Sequence, residues 1–259
     1  MKYNSQNRIT NSVLRMIGEE TMDNVEKYTD TVIDRSYKTF NSIEDVKSFF
    51  DGYLDNVYSN SNLDDIENIR YYTGASFKDI NAVLRDNWNY EVNGLLTDDK
   101  KNEFLNISRN LSNSMNKVSN ELPSDIKVYR GVTLASFKDY GINSISDLKS
   151  MVGQYFYERG FTSTSLLRES SAFNSNSDYW KDRNIEIEYL IPSEFSDGLP
   201  LITKDLCYTG VEHEFLINTG SLCKIVDVMV DEDKAYLTAV FIPKKVYDKT
   251  YSDQQSNVL

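Results

Sequence analysis

The sequence contains one histidine and two cysteines among 259 residues, and each scarcity excludes a class of site. Metal sites built from several histidines and the HExxH helix need more imidazoles than His213 provides, and a Ser-His-Asp triad needs one placed elsewhere. Cys207 and Cys223 are too few for a disulfide framework, and two thiols alone do not complete a zinc site. We therefore expect free, structural cysteines, with a single disulfide as the alternative, and no metal.

The sequence also lacks the glycine-rich loops and long apolar runs that mark other large classes of protein. It has neither GxxxxGK[ST] nor GxGxxG, so the usual phosphate-cradling folds are not expected. No apolar run is long enough to cross a bilayer or to form a signal peptide. This predicts a soluble chain without stable membrane insertion, whose export would need another route or a leader already removed. The net charge of −12 argues against a nucleic-acid partner, because phosphate binding needs clustered lysine and arginine.

Apolar residues at helical spacing fill the first half of the chain. They predict helices over residues 9–17, 43–57, 63–70, 77–87 and 98–118. Ser42, Ser76 and Thr97 stand at starts where a hydroxyl can act as the N-cap. Pro123 closes this helical region.

After Pro123 the pattern changes to the two-residue alternation of strands. The predicted strands span residues 126–130, 160–165, 185–191, 214–217, 224–230 and 235–242, and a short helix spans 147–152. The polar stretch over residues 166–179 is predicted to be a mobile loop or a weak helix. Helices first and strands second predict an α+β fold rather than a doubly wound sheet.

Two glutamates flank the single histidine. On a strand, alternate side chains share a face, so Glu212 and Glu214 would lie on one side and His213 on the other. Two carboxylates roughly 6–7 Å apart suit the stabilisation of an oxocarbenium-like cation, although a solvated strand face is the plainer interpretation. The turn before them contains Tyr208 and Thr209, where a loop could recognise a partner.

Two further segments carry polar side chains that could contribute to a site. Ser163, in a run of alternating hydroxyls, could hydrogen-bond a catalytic carboxylate or a ribose, although threonine-rich strands are common in any case. Arg130 ends a predicted strand and precedes Gly131, so it could hold a phosphate bidentately while the glycine allows close backbone approach. A surface salt bridge is the alternative for this arginine.

In chain order, the motifs Arg130, Ser163-Thr164-Ser165 and Glu212-His213-Glu214 resemble the pattern of the bacterial ADP-ribosyltransferase exotoxins. That group contains the iota-toxin enzymatic component and the clostridial Rho-modifying exoenzymes. The similarity extends to residues 72–85 upstream and to the strands after Phe215 downstream. It implies an ADP-ribosyltransferase-like mixed β-sandwich core preceded and flanked by helices. The implied division is a helical extension over residues 1–42, a catalytic domain over 43–245 and a polar tail over 246–259.

The resemblance implies a role for each residue in binding and cleaving NAD⁺, which would be a substrate in a reaction without metal. Glu214 would hold the nicotinamide ribose and stabilise the oxocarbenium ion, and Ser163 would orient Glu214. The residues implied to bind the dinucleotide are Arg130, Gly131, Asn81, Arg85, Arg168, Thr164 and Ser165.

The residue at position 212 indicates the acceptor. In the family, glutamate there accompanies modification of arginine and glutamine accompanies asparagine, since a carboxylate can pair with a guanidinium and help remove its proton. Relatives often carry an aromatic residue three positions before this glutamate, where the chain has Thr209, with Tyr208 beside it. We expect a monomeric toxin or effector that works in a target-cell cytosol on an arginine of a protein, with actin favoured and a small GTPase as another candidate. The alternatives are an NAD⁺ glycohydrolase, a catalytically silent binding module and a glycoside hydrolase.

Overall fold

The computed structural model describes residues 17–171, 173, 182–207 and 213–248. In these ranges the first part of the chain is helical and the second part is dominated by strands. The helices are α1 Glu19–Val32, α2 Ile43–Asn60, α3 Leu63–Tyr71, α4 Phe77–Leu84, α5 Tyr90–Asn93, α6 Asp98–Val118 and α7 Lys244–Tyr247, with 3₁₀ helices over Leu134–Tyr140, Ser146–Met151 and Arg168–Ser170. The predicted helix over 9–17 lies almost entirely outside the described residues, and the division at residues 42 and 245 stays a prediction.

Two of the three predicted N-caps are confirmed. The Ser42 hydroxyl accepts from the Asp45 amide at 3.1 Å, and the Thr97 hydroxyl accepts from the Lys100 amide at 3.3 Å. The third prediction is wrong, because Ser76 has helical dihedrals and its side chain makes no capping bond. The segment Tyr72–Ser76 joins α3 to α4 through a kink at Gly74, whose ψ of −144° is not helical, so the helix is interrupted at this glycine and not at Ser76.

The strands form one mixed sheet in the order β2-β7-β8-β4-β1-β3-β6-β5. They are β1 Ile126–Val132, β2 Tyr155–Glu158, β3 Thr162–Ser165, β4 Ile185–Ile191, β5 Gly198–Leu201, β6 Glu214–Ile217, β7 Ser221–Asp231 and β8 Lys234–Ile242. β4 and β8 are parallel, and the other pairs are antiparallel. The α+β prediction is therefore confirmed.

The two strands that the sequence pattern missed, β2 and β5, are the edges of this sheet. Neither β2 (YFYE) nor β5 (GLPL) shows an alternation of apolar and polar residues. β5 also contains Pro200, and a proline is tolerated in a strand mainly at a sheet edge, where its missing N–H disrupts no ladder.

The site forms where the sheet changes from its five-stranded part to its three-stranded part. The first part is β2-β7-β8-β4-β1 and the second is β3-β6-β5; a single backbone pair, Tyr129 with Ser165, joins them. The narrow junction leaves the ends of β1, β3 and β6 close together. Side chains from all three strands can therefore meet on one side of the sheet.

An aromatic core fixes β6 from behind. Phe215 is fully buried, and its ring stacks on Phe50 of α2 at 6.4 Å between centroids. Because Phe215 directly follows Glu214, this packing also fixes the backbone that carries the glutamate.

Helix α1 packs on the edge strand β2 and its neighbours rather than standing apart from the sheet. Met22 and Val25 are buried there against Tyr155, Leu222 and Ile242. The two cysteines are free and buried, as predicted. Among the described helices, none has the length and apolar character needed to span a bilayer.

Candidate active site

Glu214 is the first residue of β6 and is 6% exposed. Its Oε1 accepts a hydrogen bond from the Ser163 hydroxyl of β3. The register explains the contact, because Ser165 lies opposite Glu214 and Ser163 is therefore its diagonal neighbour on the same face. The two residues that the resemblance pairs are thus in direct contact, with a charge-assisted hydrogen bond that fixes the carboxylate.

Helix α4 forms the wall beside this pair. The Asn81 side chain accepts from the Phe161 amide at 2.8 Å and donates to the Tyr72 hydroxyl at 2.8 Å. The rings of Tyr72 and Phe161 pack at 5.0 Å. Burial, reinforced by the nearby negative charge of Glu214, raises the pKa of Tyr72 above its ordinary value, so its hydroxyl stays neutral.

Together these elements enclose a cleft of about 740 Å³. Eight of the predicted site residues line it: Asn81, Arg85, Arg130, Gly131, Ser163, Thr164, Ser165 and Glu214. The hydroxyls of Thr164 and Ser165 donate to the backbone carbonyls of Phe215 and Leu167, each at 2.6 Å. Those two residues therefore shape the cleft wall, and Ser163 is the hydroxyl of this strand that reaches the carboxylate.

The cleft carries several cations and a single carboxylate along its described lining. Lys78, Arg85, Arg130 and Arg183 contribute the positive charges, and Glu214 contributes the negative one. The Arg130 side chain makes no hydrogen bond or ion pair to any residue that the structure describes, so its guanidinium can bind an anion in the cleft. A site with this charge distribution suits an anionic ligand whose reacting centre becomes positive.

Arg183 is a cleft residue that the sequence patterns did not predict. Its Nη1 donates to the Gly131 carbonyl at 2.5 Å, which places it next to Arg130. The signal for it is indirect. Arg183 comes just before β4, and β4 pairs with the strand that carries Arg130, but that pairing cannot be read from the sequence.

The structure does not bring Arg168 to the cleft. Its guanidinium donates twice to Oε1 of Glu186, at 2.9 and 2.5 Å, and lies 5.8 Å from the centre of the Tyr129 ring. The hydrogen bond to Glu186 raises the pKa of Arg168 above its ordinary value. A buried carboxylate thus holds this arginine at a separate, smaller depression, whereas Arg183 lines the cleft.

Tyr208, Thr209 and Glu212 lie outside the described residues. The expectation that Glu212 and Glu214 share a strand face therefore stays a prediction. His213, the described residue directly before β6, has a φ of 51°, a left-handed conformation that is uncommon for a residue with a side chain. Burial lowers the pKa of His213, and the positive charge of Lys47 lowers it further.

No cluster of metal-ligating side chains occurs within the described ranges.

A family model described as ADP-ribosyltransferase exoenzyme matches residues 46–244. No curated protein matches the chain in sequence.

Several solved structures share the fold. C3stau2 from S. aureus, solved with NAD, is 21% identical, with a TM-score of 0.60 and coverage of 81% of this chain and 100% of that chain. The Clostridium limosum C3 exoenzyme is 19% identical, with a TM-score of 0.59 and coverage of 80% and 98%. The ADP-ribosyltransferase Vis, in complex with agmatine, is 18% identical, with a TM-score of 0.51 and coverage of 82% and 91%.

Proposed function

Because the chain belongs to the ADP-ribosyltransferase exoenzyme family, we propose that it transfers ADP-ribose from NAD⁺ to an arginine side chain of a target protein. The observation that carries this proposal is the Ser163–Glu214 contact inside a cleft in which the other charged groups, among the lining residues that the structure describes, are cations. A carboxylate held in a fixed orientation can stabilise the positive charge that develops on the ribose when a dinucleotide is cleaved there, and the surrounding cations can bind the phosphates.

The cleft suits NAD⁺ in size and in charge. Its volume of about 740 Å³ lies within the range of small-molecule sites. Arg130 and Arg183 would hold the pyrophosphate, because guanidinium groups bind phosphate oxygens in a bidentate manner. Gly131 would let the ligand approach the backbone. NAD is the molecule bound in the similar C3stau2 structure.

The chemistry proposed for Glu214 is electrostatic. The bond between the ribose carbon and the nicotinamide nitrogen breaks, the electron pair leaves with nicotinamide, and the ribose becomes an oxocarbenium ion. The Glu214 carboxylate stabilises that cation, and Ser163 keeps the carboxylate oriented while the charge develops. The acceptor nitrogen then bonds to the ribose carbon and gives up a proton.

The acceptor is proposed to be an arginine, and Glu212 is proposed to bind its guanidinium group. A carboxylate at this position can pair with a guanidinium and accept its proton. Agmatine, the ligand of the similar Vis structure, carries the same guanidinium group as an arginine side chain. Tyr208 and Thr209 would contact the surrounding surface of the target, for which actin is favoured over a small GTPase. We propose that the enzyme is secreted or injected and acts in the cytosol of a target cell.

Labelling of a whole-cell lysate with tagged NAD⁺ tests the proposal. Wild type is compared with Glu212→Gln and Glu214→Gln, and with Glu188→Gln as the matched control, since Glu188 pairs with Lys127 outside the cleft. A labelled protein that appears with wild type and the control, and is lost with both site variants, supports the transferase. NAD⁺ consumption without any labelled protein would identify a glycohydrolase, and no consumption would identify a silent binding module.

A further inference from the structure

A buried carboxylate that the mechanism does not use lies behind the cleft wall. Glu158 ends β2, and its side chain is 11% exposed. Its Oε1 accepts from Arg85 Nε at 2.8 Å and from the Gly160 amide at 3.1 Å. This carboxylate therefore joins helix α4 to the segment that leads into β3.

The same segment takes a second donor from Arg85. Arg85 Nη2 donates to the Phe161 carbonyl at 2.9 Å. Nε and Nη2 form one edge of the guanidinium plane, so this edge is bound to the protein. The remaining N–H groups of Arg85 have no acceptor among the residues that the structure describes, and Arg85 lines the cleft. A guanidinium held along one edge presents the rest of its planar fork to a ligand.

Glycine at position 160 makes this arrangement possible. A Cβ there would lie 2.6 Å from Asn81 Oδ1 and 2.9 Å from Arg85 Cζ, closer than real contacts allow. Helix α4 can therefore approach the segment closely enough for both bonds from Arg85. Glu158 is the one side-chain acceptor of Arg85 in the described part of the chain, since the other is a backbone carbonyl.

We propose that Glu158 is a positioning residue, which fixes the Arg85 guanidinium so that its outward edge binds the pyrophosphate of NAD⁺. The proposal rests on the proposed function, and it assigns to Glu158 a role in substrate binding rather than in bond cleavage. Without the carboxylate, Arg85 keeps only its bond to Phe161, and its long side chain regains rotamers that do not face the ligand. The affinity for NAD⁺ then falls, because a flexible arginine side chain must be ordered each time NAD⁺ binds.

Isothermal titration of NAD⁺, with nicotinamide release measured in parallel, tests the proposal on the full chain. Glu158→Ala is expected to weaken NAD⁺ binding about 10- to 50-fold while kcat changes by less than about 3-fold, as expected for loss of one charge-assisted contact to the substrate. Glu158→Gln is expected to restore binding to within about 5-fold, because the amide oxygen can still accept both bonds. Glu188→Ala, which removes an ion pair outside the cleft, is expected to bind NAD⁺ like wild type.

The decisive comparison uses Arg85→Ala. If Glu158 acts through Arg85, adding Glu158→Ala to Arg85→Ala causes no further loss of affinity. Wild-type affinity in Glu158→Ala, or a full additional loss in the double variant, would overturn the proposal and leave the enzyme assignment intact. A wild type that binds no NAD⁺ would overturn both. Should Glu158→Ala fail to fold, Glu158→Asp carries the test: its shorter side chain keeps the charge but cannot reach Arg85 in the same geometry, and it too is expected to bind NAD⁺ more weakly.

Discussion

Replacing Ser163 by alanine removes the hydroxyl that donates to Glu214 and leaves the rest of the cleft lining unchanged. Hydrogen bonds to charged groups contribute about 1.5–3 kcal/mol. If the full contribution is lost in the transition state, the rate of nicotinamide release falls about 10- to 150-fold, since each 1.4 kcal/mol is about tenfold. Stability is expected to change little, by less than about 1 kcal/mol, because the serine lies on the cleft surface.

The assay measures nicotinamide release at saturating NAD⁺ together with urea unfolding. Ser221→Ala is the matched control, because its hydroxyl donates to the Asn218 carbonyl at 2.7 Å in a buried position away from the cleft. The control is expected to lose about 1 kcal/mol of stability and no activity. A Ser163→Ala enzyme with the wild-type rate would refute the orienting role, and so would a rate loss no larger than that of the control.

Two further predictions concern stability. Gly160→Ala is expected to lower the free energy of unfolding by about 1–3 kcal/mol, since its Cβ would lie 2.6 Å from Asn81 Oδ1. Gly52→Ala, in a helix where the added Cβ has no atom within 4 Å, is expected to raise the free energy of unfolding by about 0.5–1 kcal/mol. Equal effects of the two substitutions in denaturant unfolding would contradict the close approach of α4 to Gly160. His213 is the only histidine, and its pKa is lowered in the folded state. Below about pH 6.5 the unfolded chain therefore binds a proton that the folded chain resists, so stability falls as the pH drops from 7 towards 5.5. His213→Asn, which tolerates the left-handed backbone, is expected to flatten this slope, and an unchanged slope would show that other groups cause it.

Local patterns were sufficient for much of the fold. Ser42 and Thr97 directly precede segments whose apolar residues recur at helical spacing, and their hydroxyls cap the predicted helices. β4 and β6 match the predicted limits because their apolar residues are bounded by polar turns. The kink at Gly74 before α4 was not predicted, because a glycine in a local pattern is compatible with a loop, a turn or an interrupted helix.

The site was predictable where a motif places its residue on a strand or helix. Ser163, Arg130 and Asn81 line the cleft because the elements that carry them have regular geometry. The second arginine of the cleft was not predictable, because nothing in the local sequence distinguishes Arg168 from Arg183. Pairing between β1 and β4 brings Arg183 to Gly131, and the buried carboxylate of Glu186 draws Arg168 away.

The proposed role of Glu214 is tested by comparing nicotinamide release and NAD⁺ binding in wild type, Glu214→Gln and Glu188→Gln. Glutamine keeps the size of Glu214 and its ability to accept from Ser163, but removes the charge that faces the oxocarbenium ion. We expect that Glu214→Gln loses nearly all nicotinamide release while binding NAD⁺ within about 5-fold of wild type, and that Glu188→Gln retains both. Wild-type turnover in Glu214→Gln would show that the Glu214 carboxylate does not stabilise the oxocarbenium ion.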